Sequence, residues 1–339
     1  MMLTFLAILF VVPVILPGST LGAEEKKPVK LVFLGTAFGR MNYLNMFAAM
    51  NVLNKYCPTI RGLIRETSGT GEMVLMTGDK PKKRKNHVLG VSGTSLWRAN
   101  VGDPLFYKHP YPGLKHVAYM GMAVLCHATL DPNIKSPKDL IGKRIGASPK
   151  ALGMWPFQKM QLEAWGVLDK VKITHGPWSS NMKALADGGL DVVGFFGQKN
   201  LKTGKYIAPG PCAELVSTKQ VYFINCPEKD IMKMREIGGW KWPVIHIPAG
   251  TFEKDQPAFT ATGMKQLGVG AWEDMDEEIV YQMCKYWDKY ADTWVQYHRG
   301  FAGLTGKLMA ELIPVQDPKK IHPGALKYYK EKGYPIGTK

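Results

Sequence analysis

A two-lobed α/β fold, each lobe a mixed sheet flanked by helices and the two hinged by crossover strands, is what this 339-residue chain predicts. Three observations carry the prediction. Short apolar runs of strand character alternate with helical patterns, and the first three each end in a loop of Ser, Thr and Gly. The alternation stops at one long apolar segment, His116 to Thr129, and then restarts as a second lobe would. A second strand-like run, Thr260 to Val269, reads as the return to the first lobe. In an open parallel sheet the carboxyl ends of the strands share one edge, and ligands bind there.

Taken in order, Leu31 to Leu34 is the first strand, Gly35 to Arg40 its loop, and a helix follows from about Asn42. Ile60 to Ser68 reads as a second strand, followed by Thr67-Ser-Gly-Thr-Gly71 and a helix over 72–77. His87 to Val91 is a third, running into Ser92-Gly-Thr-Ser95 and a helix from Leu96 to Val101. Ser136 is a natural N-cap with Pro137 at the first helical position. Ala147 to Gly153 then forms a fourth loop before a helix through Trp165. Val171 to Thr174, a helix over 180–186, and Leu190 to Gln198 continue the second lobe. Asp276 opens a long helix with Glu277 and Glu278 in its first turn, favourable to the dipole. Ile279, Met283, Tyr286, Tyr290, Trp294 and Tyr297 recur along it at helical spacing, a stripe read as core.

Residues 1–23 carry no charge, contain the apolar run Leu3 to Leu16, and end in small residues before Glu24-Glu-Lys-Lys27. That is the pattern of an export signal cleaved near Ala23, too short for comfortable spanning. An uncleaved anchor is the alternative. The five cysteines have no CxxC or Cys/His spacing, so neither a metal site nor a disulfide-built fold is expected; Cys212 and Cys226 are the nearest pair. The net charge of +16 fits nucleic acid, a membrane surface or anionic small ligands. No nucleic-acid motif is present, and the densest basic block, Lys80 to Lys85, reads as a solvated loop. The histidines show no HExxH spacing, and no Gly-x-Ser-x-Gly elbow exists, so catalysis, metal and cofactor find no support. An exported hydrolase is the enzyme alternative.

These segments together resemble the TAXI family, the extracytoplasmic solute receptors of TRAP transporters. Ser136-Pro-Lys-Asp-Leu-Ile-Gly-Lys-Arg-Ile-Gly146 is similar to the family's S-x-x-D-L-x-G-K-R-V-x-x-G. Leu185 to Val192 resembles A-L-x-x-G-x-I-D-A, Ile247 to Phe252 resembles I-P-x-G-T-Y, and Asp276 to Tyr281 resembles D-D-x-V-Y. His322 to Gly333 resembles a tail common in such receptors. The resemblance implies a periplasmic-binding-protein fold, with lobe I over 28–124 plus 264–339 and lobe II over 125–263. It implies a periplasmic receptor that closes on a small organic anion, a carboxylate above all, and delivers it to TRAP membrane subunits; a monomer is expected, though the sequence leaves oligomeric state open. Delivery to an ABC permease or a sensor protein is the alternative on the same fold. Closure would be hinge-like, about the strands near Leu125 and Met264.

The family's ligand loops fall on the loops read above. The first matches at Gly35, Thr36, Gly39 and Tyr43, but Phe38 and Arg40 replace small residues. The second matches at Thr67 and Gly69, with Ser68 between them and Thr70 standing for Ser. The third falls on Ser92 and Gly93, with Thr94 and Ser95 where an acidic residue is usual. The fourth spans Ser148 to Gly153, broken by Pro149 and Lys150. Arg40 is the leading anion anchor, because a guanidinium binds carboxylate bidentately; a solvated arginine at a helix start is its alternative. Lys150, on the opposite lobe, is a candidate to hold a second anionic group, with a solvated lysine as its alternative. Tyr43, Trp97, Trp155, Phe196 and Gly197 are candidates for the pocket floor, with core packing the other reading of each aromatic.

Overall fold

The computed structural model describes residues 27–150 and 154–337. The export segment expected over 1–23, and Ala151 to Gly153 of the fourth loop, lie outside the described residues. The first run of elements is β1 (Val29–Gly35), α1 (Met41–Tyr56), β2 (Ile60–Glu66), α2 (Thr70–Thr77), the single turn α3 (Pro81–Arg84), β3 (His87–Val91) and α4 (Gly93–Val101). The long strand β4 (Leu114–Thr129) leads to β5 (Arg144–Ala147), α5 (Met154–Ala164), β6 (Lys172–His175), α6 (Trp178–Ala186) and β7 (Val192–Lys199). Then come β8 (Tyr206–Ile207), α7 (Pro211–Thr218), β9 (Tyr222–Ile224), α8 (Glu228–Gly238) and β10 (Val244–Ile247). The return strand β11 (Phe259–Trp272) is followed by α9 (Glu277–Lys289), α10 (Gly306–Glu311) and α11 (Pro323–Glu331).

The strands join in one curled sheet of order β2-β1-β3-β11-β4-β7-β5-β6, with β10 on β11, β8 on β7 and β9 on β4. β1, β2 and β3 are mutually parallel, as are β5, β6 and β7. β11 pairs antiparallel with β3 and with β4, and β4 antiparallel with β7. Every residue of β3 is buried, as its mostly apolar run requires of a strand flanked on both sides, by β1 and by β11. The buried apolar side chains fall into two main clusters. One holds Leu31, Phe33, Met46, Val88, Tyr119, Leu267, Trp272 and Trp287, and the other Leu125, Phe157, Phe195, Trp242 and Met264. The division passes through β4 between Met120 and Ala123, and through β11 between Met264 and Leu267. This is the two-lobed α/β arrangement that the sequence predicts.

Three local expectations need correction. The aromatic stripe is not one helix: α9 ends at Lys289, and 291–296 continues as a tighter 3-10 turn. Its buried face is Val280, Met283, Cys284 and Trp287, while Tyr286 and Tyr290 sit at the boundary and Tyr290 stacks on Tyr56. Lys80 to Lys85 is a helical turn rather than a loop, opened by Pro81, and Arg84 is tied to Asp274 at 2.8 Å. α4 begins three residues earlier than expected, at Gly93, because Ser92 caps it. All five cysteines are buried free thiols, Cys212 and Cys226 included.

Candidate functional site

Strand register fixes where the loops meet. Val91 at the end of β3 lies opposite Gly268 on β11, so β3 points along β11 toward the second cluster. Phe196 near the end of β7 lies opposite Leu125, which lies opposite Thr262, and β7 points the other way. The carboxyl edges of the two parallel sets therefore face each other across a floor of β4 and β11. Six residue steps along β11, from Thr262 to Gly268, separate those rows, a span of about 20 Å at the strand rise.

The first three loops are bonded into one edge. The Gly35 carbonyl accepts from Thr67 N and Oγ1, both at 2.9 Å, and Thr70 Oγ1 donates to the Gly90 carbonyl at 3.1 Å. Asn42 Oδ1 accepts from Thr36 N at 3.2 Å and packs on Gly90, where no Cβ would fit. Thr36 Oγ1 is buried with no hydrogen-bond partner among the described residues. Arg40 is exposed at the N-cap of α1, makes no cap bond, and has no ion pair among the described residues. Phe38 is 74% exposed, edge-on to Tyr43, which stacks on Phe47.

Other expected contacts are occupied by the protein itself. Ser68 gives both its N–H and its hydroxyl to Glu72 Oε2, holding that carboxyl below its ordinary range. Gly69 is buried beside it, as N-cap of α2. Ser92 Oγ accepts from Ser95 N at 3.1 Å while Ser95 Oγ accepts from Ser92 N at 2.8 Å, a reciprocal cap. Gly93 abuts Pro314 and Trp240, and Trp240 lies 5.9 Å from Trp97, so α4 touches the far side here.

On the opposite edge, Ser148 N donates to Gln158 Oε1 and the Ser148 carbonyl accepts from His175 Nδ1, both at 2.8 Å. Lys150 is exposed beside it. Trp155 stands edge-on to His175 with centroids 4.4 Å apart. Phe196 is buried against Trp178, whose Nε1 donates to Gly194. A Cβ on Gly197 would come within 2.6 Å of both Phe252 and Val124, which makes that position core packing.

Two residues escaped sequence reading. Gln198, 1% exposed on β7, has neither amide atom bonded among the described residues, and Gln266 on β11 has its Nε2 in the same state. Register places both on one face of the floor, since Gln198 lies opposite Ala123 and Gln266 opposite Gly121. The signal was a lone amide in each strand-like run, at the end of the one over 190–198 and inside the one over 260–269. Lys265, on the other face, donates to the Glu311 and Ile313 carbonyls at 3.2 and 3.3 Å. Burial brings its pKa down to about 8, partly countered by Glu311.

Among the described residues no group of three or more His, Cys, Asp or Glu is placed to hold a metal ion. A family profile described as the NMT1-like family matches residues 65–333. The chain belongs to the NMT1-like family. The matched stretch of this NMT1-like chain includes the second, third and fourth loops and stops short of the first, with Thr36 and Arg40. A solved Xanthomonas citri protein, bound to ATP, shares the fold of this NMT1-like protein. Its TM-score is 0.53 at 7% identity, over 90% of this chain and 98% of that one. A TctC solute binding protein from Polaromonas is similar at TM-score 0.49 and 12% identity, covering 90% and 99%. The periplasmic aliphatic sulphonate binding protein SsuA of Escherichia coli is similar at 0.47 and 12%, covering 92% and 96%. No helix among the described residues is long and apolar enough to cross a membrane.

Proposed function

We propose that this chain is an exported receptor that captures a small organic anion, a carboxylate in the first instance, between its two lobes. The observation that carries the reading is the pair of opposed strand-end edges over a two-strand floor, with Thr36 Oγ1, both amide atoms of Gln198 and Gln266 Nε2 buried and unbonded among the described residues. Such groups cost about 1–3 kcal/mol each unless a partner satisfies them. A ligand drawn into the cleft supplies one. Arg40 and Lys150 stand exposed at opposite edges, so an anion is the species that both attract. Thr36, Tyr43, Trp97, Ser148 and Trp155 are the further contacts proposed. Ser68, Thr70 and Ser92 contribute mainly by holding the loops in place.

In this reading lobe I comprises 28–124 and 264–339, lobe II comprises 125–263, and the signal is removed near Ala23. The protein acts as a monomer in the periplasm, performs no chemistry on its ligand, and hands it to a TRAP-type permease, as the TAXI resemblance implies. Native mass spectrometry of the exported protein, before and after mild unfolding, tests it. One small acid bound per chain and lost intact on unfolding supports the receptor. A chemically altered ligand, or no stabilisation by any member of a panel of carboxylates, overturns it, because a ligand of the native state must raise stability by mass action.

A further inference from the structure

From Trp97 a groove of about 320 Å³ runs along α4, away from the strand-end loops, where α4 meets α5 and α8. That volume is at the small end of ligand pockets. Arg98, Val101 and Leu105 form one wall, while Lys159, Met160 and Ile237 form the other, so the walls belong to the two sides of the seam. The rim is apolar and wet: Val101, Leu105 and Ile237 are 49%, 64% and 40% exposed.

The head of the groove is charged, and one of its donors is unsatisfied. Arg98 is only 7% exposed, and its Nη1 has no acceptor among the described residues. Its one acidic neighbour, Asp103, meets Nε at a long 3.5 Å and gives its other oxygen to Leu105 N at 3.0 Å. The guanidinium also lies over the Phe106 ring, 5.6 Å from its centroid, so Nη1 is the donor left to an incoming acceptor. Lys159 lies on the opposite wall, and the carboxylates of Asp103 and Glu163, the latter one turn further along α5, also line the groove, so what marks the head is the unbonded guanidinium nitrogen rather than a net charge.

We propose that this groove is a second ligand site, separate from the strand-end cleft, for a small monoanionic amphiphile. Its carboxylate or sulfonate head meets Arg98 and Lys159, and its aliphatic body lies on Val101, Leu105 and Ile237. An occupant touching both walls pins the two sides of the seam at one angle. Its binding is then coupled to ligand capture in the cleft, and the coupling is reciprocal.

Calorimetric titration of the full chain with hexanoate, and separately with hexanesulfonate, tests the proposal. Saturable binding of either head that Leu105→Glu weakens supports it, and the two arms show which head is preferred. Lys159→Glu and the rim variant Leu105→Glu are expected to weaken binding by about tenfold or more, whereas Arg40→Ala leaves it unchanged. Arg98→Gln should abolish it; because Arg98 is buried, that variant counts only if its circular dichroism matches the parent. Absence of saturable binding up to about 10 mM overturns the site. So does binding that Arg40→Ala removes and Leu105→Glu spares, which would place the anion in the cleft.

Discussion

Asn45 Nδ2 donates to the Leu267 carbonyl at 3.0 Å, joining the first helix to the return strand across 222 residues of chain. Leu267 has φ 55°, the only positive φ outside glycine among the described residues. It stands where β11 passes from one core to the other, and its neighbours Gln266 and Gly268 pair with β4 while Leu267 does not. For a bulky residue the left-handed region costs of the order of 1 kcal/mol or more. The bond from Asn45 therefore holds a strained peptide at the crossing point. Asn45→Ala leaves that buried carbonyl unpaired and is expected to lower unfolding free energy by about 1–3 kcal/mol in urea titration. An unchanged midpoint would show that the kink is held by β4 alone.

Arg40 is exposed and caps nothing, so Arg40→Ala is expected to leave thermal stability unchanged. If the guanidinium pairs with a ligand carboxylate, affinity for that ligand falls by at least about tenfold. Equal affinity in parent and variant would remove Arg40 from the site.

Gly197 gives the opposite pattern. A methyl group there meets Phe252 and Val124 at 2.6 Å, so Gly197→Ala is expected to destabilise by about 1–3 kcal/mol. Ligand affinity of the folded fraction should stay within about twofold of the parent. A stable variant that fails to bind would return Gly197 to the ligand surface.

Acid should weaken the fold well before the carboxylates titrate. Burial pushes His116 down to about 3, and His127 and His322 to about 4. Folded values below the unfolded value of about 6.5 mean that the unfolded chain binds more protons between roughly pH 4 and 6.5. The stabilisation is complete above about 6.5 and is lost as pH falls, by of the order of 1–2 kcal/mol per histidine at pH 5. Urea midpoints at pH 7 and 5 measure it, and a flat profile would contradict the burial of these rings. Lys265, lowered to about 8, makes stability rise between pH 8 and about 10 by the same rule.

Fold class was readable because strand–loop–helix units announce themselves through period and through Ser, Thr and Gly at strand ends. The residue-level site was less readable. Gly35, Thr67 and Thr70 do lie at the strand-end edge, yet sequence alone does not say that Thr70 spends its hydroxyl on Gly90 or Ser68 on Glu72. Hydroxyls beside a helix start serve caps as readily as ligands, and only the fold decides between them. Gln198 and Gln266 were invisible because a lone amide in a strand-like run reads as a position turned to water, whereas their amide nitrogens are enclosed. The stripe on α9 was out of phase by one residue, since tyrosines lie happily at a boundary with the ring packed and the hydroxyl wet.

The core built around Trp287 has a consequence for the order in which the chain can be assembled. Trp287 donates to the Ala49 carbonyl, and β11 supplies the neighbour that β3 needs on its open side. Both arrive long after α1 and β3 have been made, whereas the core around Phe157 and Trp242 is complete once β11 has begun. A chain emerging from its N-terminus would thus finish its middle first. Its opening segment would wait, with one edge of β3 unpaired and sticky, until the last quarter of the sequence closes over it.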